Sequence, residues 1–200
     1  AAHRLTEGLG ALDPLLEKAE LIFIMTGLGG GTGSGAANEL ARLARARNCL
    51  VLSVAGLPFA EQPLRSAIAS AALPALEKQA HVCIRVSIEG LAWYARARGA
   101  DWQQGSGWIQ DLVEGLVTTL TKVGKMNLDL MDLRTVVEHN GEATLIVGSG
   151  TVVDPPGGVD VGRRSPLTAV DVSGAKGCMI QVEVGPDMLS LRHSGSGRRR

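Results

Sequence analysis

The stretch Gly27-Leu28-Gly29-Gly30-Gly31-Thr32-Gly33-Ser34-Gly35 constrains the fold more than any other part of the chain, because glycine is poorly suited to hold a regular element. It lies between two segments that read clearly. Before it, residues 21–25 form a short continuous apolar run, the pattern of a strand buried on both faces of a parallel sheet. After it, residues 36–47 place Leu40, Leu43, Ala44 and Arg47 on one helical face, and a second buried strand begins at Leu50. A strand, loop, helix, strand unit predicts parallel pairing through a right-handed crossover.

Such a junction gathers unpaired backbone N–H groups at the positive end of a helix dipole, where an anion can reach them. A plainer reading is a turn whose glycines let helix and strand pack closely. The density of glycine favours the anion. No Lys-Ser/Thr pair follows, so this is not a Walker A loop, and the glycines are out of G-x-G-x-x-G register. The next strand ends in Ala55-Gly56-Leu57-Pro58, without the acid a dinucleotide ribose would need. No serine stands in G-x-S-x-G, and His3, His81, His139 and His193 lack ligand spacing, which removes hydrolase and zinc readings.

The chain has 200 residues and no net charge, enough for one ample core or two small subdomains. Balanced charge and few aromatics (one Tyr, two Phe, three Trp) exclude a nucleic-acid binder. Trp93, Trp102 and Trp108 are expected to pack. Cys49, Cys83 and Cys178 read as small buried hydrophobes of a reducing compartment. With no membrane span or signal peptide visible, the expected location is cytoplasmic, without direct membrane insertion.

Further along, residues 5–19 give a weak helix interrupted by Gly8, Gly10 and Pro14, residues 65–79 a helix kinked at Pro74, and residues 82–88 a third strand. Residues 99–107 read as loop, and a strongly amphipathic helix runs from Trp108 to about Lys122 and ends at Gly124. Two strands, over 143–150 and 178–185, flank a Pro/Gly loop. Between helix and strands, Asn127, Asp129 and Asp132 stand in an N-x-D-x-x-D arrangement; alone, such aspartates read as helix caps.

Gly29, Gly30, Gly31, Thr32, Gly33, Ser34 and Gly35 together resemble the signature loop of the tubulin/FtsZ GTPase family, and Asn-Leu-Asp-Leu-Met-Asp-Leu-Arg-Thr-Val resembles its synergy loop, closer to bacterial FtsZ than to tubulin. Residues 57–65 resemble the segment whose Glu and Arg, here Glu61 and Arg65, contact the nucleotide. The 108–124 helix resembles the family's central helix, with Asp111 where an Asp reads guanine. Glu89 stands where an Asn would be expected.

The resemblance implies an α/β fold: a Rossmann-like parallel-sheet GTPase domain joined by the central helix to a smaller α+β subdomain. The expected parts are a partial GTP-binding domain over 1–107, the helix over 108–124, a partial carboxy-terminal subdomain over 125–192 with its synergy loop at 125–132, and a flexible basic tail over 193–200. The family's first strand and first phosphate loop would precede residue 1, and its last strands would follow Leu191, as in a fragment or a shortened paralogue.

The implied activity is GTP hydrolysis in head-to-tail filaments of cell division. The loop of one subunit would hold GTP or GDP with Mg2+, without a protein metal site, while Asp129, Asp132 and Asn127 of the next act at the γ-phosphate. Implied partners are further copies or a full-length FtsZ, and membrane tethers at the division site. The alternative is a degenerate, non-hydrolysing relative that caps or regulates filaments.

Overall fold

The computed structural model describes residues 9–97, 99, 114, 117, 130–137 and 173–178. Three parallel strands, β1 (Leu21–Gly27), β2 (Leu50–Leu57) and β3 (Val82–Ser87), pair in the order β1-β2-β3. The register sets Leu21 beside Leu50 and Leu52 beside Val82. Helices α1 (Leu9–Lys18), α2 (Gly31–Ala46), α3 (Pro63–Gln79) and α4 (Ile88–Ala97) alternate with the strands, and α5 (Leu130–Val137) follows. The α/β class read from the sequence is the one observed.

Both sheet faces are used, and strand periodicity sorts them. On one, Ile24, Val51, Ala55 and Cys83 pack with Leu16 of α1, Ala37, Ala41 and Ala44 of α2, and Ala69 and Leu76 of α3. Alanine at the α2 contact brings helix and sheet close together. On the other, Leu50 and Leu52 meet Leu133 and Val137 of α5, with Leu21, Phe23 and Val82 around them. Central strand β2 is buried from Leu50 to Gly56, whereas β1 is an edge among the described strands. Met25 on β1 is 57% exposed, on the sheet face whose cluster with α5 gathers at the strand starts, against the expectation of burial on both faces.

Three further expectations change. Helix α2 begins at Gly31, five residues before the expected start at residue 36, so the glycine motif supplies its first turn. Trp93 is 71% exposed on α4 instead of packed. Cys49 and Cys83 are buried as expected, but Cys178 is exposed. Helix α1 forms with Pro14 inside it, and α3 starts with Pro63 in its first turn, where a missing N–H costs nothing, and runs through Pro74. Glu114 and Val117 are helical, within the expected 108–122 helix; the remainder of that helix and the two later strands lie outside the described residues.

Candidate functional site

The site assembles at the carboxy-terminal ends of the strands, where β1 runs into α2. Leu28 leaves the strand with its N–H donated to Gly56 O at 2.8 Å, and its side chain enters the core. Gly29 then turns with φ of +96°, a left-handed conformation that favours glycine. A Cβ there would fall 2.8 Å from Arg65 O, so the loop lies directly on the first turn of α3.

Gly33 meets a second close approach: a Cβ would stand 2.0 Å from Gly27 O and 2.7 Å from Thr26 Oγ1. This is the packing use of glycine. Gly30 and Gly31 are different, because a Cβ at either would meet nothing within 4 Å. Gly30, Gly31 and Thr32 are exposed. Gly30, the N-cap residue, provides no side-chain cap, and the first turn of α2 carries no acidic residue. Ser34 N–H bonds to Gly30 O at 3.1 Å, the first bond of the helix ladder; the N–H groups ahead of it have no helical carbonyl to reach. Helix-dipole polarity and the lack of an acidic residue in that first turn both suit an anion.

Of the other residues expected here, the structure brings Arg65 to the loop. Glu61 is exposed in the turn before α3, and Arg65 is exposed in its first turn, beside Gly29. The turn is held from below: Ser66 Oγ donates to Phe59 O at 3.2 Å, and Ala60 N–H donates to Glu89 Oε2 at 3.3 Å. Glu89 thus braces the Glu61 turn from the first turn of α4. Sequence alone offered Glu89 only as a departure from a pattern.

Asp132 is elsewhere. It is exposed in the first turn of α5, and α5 packs on the opening residues of the strands, with Leu133 and Val137 against Leu50 and Leu52. Arg134 Nη2 donates to Asn48 O at 2.9 Å and fastens the helix to the turn before β2. From Leu50 to Gly56 the strand spans about 20 Å, so α5 and the glycine loop occupy opposite ends of the sheet. Asp111, Asn127 and Asp129 lie outside the described residues.

The strand-start end has a device that the sequence did not disclose. His81 donates its backbone N–H to Val51 O at 2.8 Å, while its side-chain Nδ1 accepts the Val51 N–H at 3.0 Å. The imidazole thereby replaces a missing ladder carbonyl where the chain arrives from α3. Burial, then the positive charges of Arg45 and Arg134, hold its pKa below the usual range, which keeps the acceptor nitrogen unprotonated. A lone histidine before an apolar run carries no sequence signal for this role.

The fold has counterparts among known proteins. Residues 5–93 match the family model described as Tubulin/FtsZ family, GTPase domain. Cell division protein FtsZ 1 of Archaeoglobus fulgidus is 35% identical over 180 residues, 87% of this chain and 48% of the relative. That of Pyrococcus horikoshii is 34% identical over 171 residues, 84% of this chain and 46% of the relative. An empty FtsZ dimer of M. jannaschii superposes with a TM-score of 0.73 at 25% identity, over 86% of this chain and 52% of that one. The chain therefore spans about half the length of these relatives, which are archaeal where the motifs had suggested a bacterial likeness. Among the described residues no helix is long and apolar enough to cross a membrane. By sequence and by fold, the chain belongs to the tubulin/FtsZ family.

Proposed function

We propose that this chain binds GTP at the Gly29–Gly35 loop and hydrolyses it in a site completed by a second molecule, within head-to-tail filaments serving cell division. The open amides at Gly30, Gly31 and Thr32 would hold phosphate oxygens, with Arg65 and Glu61 at the rim, Asp111 on the base, and Mg2+ carried on the triphosphate. Asp129 and Asp132 of the next molecule would orient the attacking water, with Asn127 contacting the nucleotide. Phosphoryl transfer depends on positioning and electrostatics, which two converging surfaces can supply.

One observation carries the reading: the glycine loop and the helix bearing Asp132 sit at opposite ends of one sheet. A single molecule keeps them at the two ends of its strands, whereas stacking copies end to end would bring one's α5 onto another's loop. The partner would be a second copy or a full-length relative, and the FtsZ dimer among similar structures makes self-association the natural form. The expected location is the cytoplasmic division site.

Complementation tests it. Gly31→Asp places a carboxylate in the anion path, and Asp132→Ala removes the remote acid. Each variant alone should release little phosphate from GTP, and an equimolar mixture should recover activity, because one supplies the loop and the other the aspartate. No recovery, with both variants folded and the unmodified chain active, would place the whole site within one molecule. An inactive unmodified chain would instead support the non-hydrolysing alternative.

A further inference from the structure

The loop has two halves that its glycine-rich sequence does not distinguish. Leu28 and Gly29 are buried, whereas Gly30, Gly31 and Thr32 are exposed. The boundary is fixed at Gly29, whose N–H is donated to Ser34 Oγ at 3.0 Å. Gly29 also adopts φ of +96° with its Cα against Arg65: a Cβ would lie 2.8 Å from Arg65 O and 3.0 Å from Arg65 Cβ. Glycine takes either sign of φ readily, so sterics alone cannot hold this conformation. An acceptor for the N–H can.

Serine within a helix commonly turns its hydroxyl back onto a carbonyl one turn earlier. Here Oγ instead reaches across the amino terminus of α2 to a residue outside the helix. Ser34 is half-buried, and its oxygen faces the packed half of the loop. We infer that Ser34 is a positioning residue of the nucleotide site: its hydroxyl latches Gly29 against the first turn of α3, so that the open amides of Gly30 and Gly31 and the Arg65 side chain form one rim. This role rests on the nucleotide reading above and assigns Ser34 an action through Gly29 in place of direct contact with phosphate or metal.

The test is made on the full chain, 15N-labelled, as wild type, Ser34→Ala and Ser34→Thr, with folding of each checked by circular dichroism and thermal melting. Two readouts are taken: exchange of the Gly29 amide without ligand, and affinity for GTP and GDP with and without Mg2+. In Ser34→Ala, Gly29 exchange should accelerate and both nucleotides should weaken by a common factor of roughly three- to tenfold, the size expected for one neutral hydrogen bond, with Mg2+ dependence unchanged. Ser34→Thr, which keeps the hydroxyl, should restore both readouts.

Unchanged Gly29 exchange in Ser34→Ala would overturn the latch. Weakened GTP binding with Gly29 still protected, or altered Mg2+ dependence, would make Ser34 a direct ligand and overturn the inference. Faster exchange with affinity unaltered would also overturn it, since the latch would then not serve the site. Should the wild-type chain bind neither nucleotide, the functional reading fails and the site role of Ser34 with it, while Gly29 exchange still decides whether the latch exists.

Discussion

The two ends of the three-stranded sheet are built to opposite rules. At the strand-start end, backbone polar groups are covered by side chains and neighbouring turns. Leu50 N–H donates to Glu20 O at 2.8 Å, Arg45 Nη1 donates to Lys78 O and Gln79 O at 3.0 and 3.2 Å, and His81 pairs with Val51 through both its backbone and its ring. The Cys49 thiol faces Ala19 O at 3.0 Å, and Arg47 pairs with Asp13. At the strand-exit end, α2 starts without a side-chain cap and with its first glycines in open space. One end closes its polar groups for stability; the other leaves donors available for a ligand.

Substitutions that separate stability from binding sharpen this contrast. The largest effect belongs to the closed end: Leu76, on α3 and fully buried in the core beneath it, should cost about 3 kcal/mol as Leu76→Ala, read from the denaturation midpoint. GTP affinity of the folded fraction should stay near wild type. Gly33→Ala comes next, because its methyl must displace Gly27 O; we expect a loss of about 2 kcal/mol together with loss of GTP binding, measured by melting and titration.

The His81 clasp should contribute less, about 1–2 kcal/mol on replacement by alanine. Its pH signature is distinctive. With the folded-state pKa depressed below the ordinary imidazole value of 6.5, the contribution is fully present above 6.5 and is lost as pH falls from there through the folded-state value. His81→Ala should remove that part of the pH dependence of chemical denaturation. The smallest stability change belongs to the open end: Gly31→Ala should be neutral or stabilising by about 0.5 kcal/mol, since alanine suits a helix better, yet it should weaken GTP binding. Equal effects of Gly31→Ala and Gly33→Ala would break the distinction between open and packing glycines.

Much of this layout is legible in the chain. The apolar runs of β1, β2 and β3 and the intervening helices give a parallel α/β unit, because buried parallel strands leave little choice of residue type. Local sequence sets the start of α2 too late because glycine disfavours helix locally, while in the fold the first turn is held by the docking of Gly33 on Gly27 and by the Gly29–Ser34 bond. Met25 follows the strand pattern, but its exposure depends on which element covers its face of the sheet, which local sequence does not encode.

Within the candidate site, glycine number was visible and glycine role was not. Gly29 and Gly33 are required by neighbours distant or folded back in the chain, Arg65 and Gly27, whereas Gly30 and Gly31 face open space. His81 carries no periodic or motif signal, and neither the loop resemblance around Arg134 nor the family position of Glu89 tells of the contacts they make, because all three act through tertiary partners.

The most direct measurement is an amide-resolved titration of the 15N-glycine-labelled chain with GTP and, separately, guanosine. Saturable shifts at Gly30 and Gly31 with GTP, far larger than with guanosine, are the expected result. GTP binding that leaves both amides unmoved, or shifts of equal size with guanosine, would contradict a phosphate grip by these bare amides.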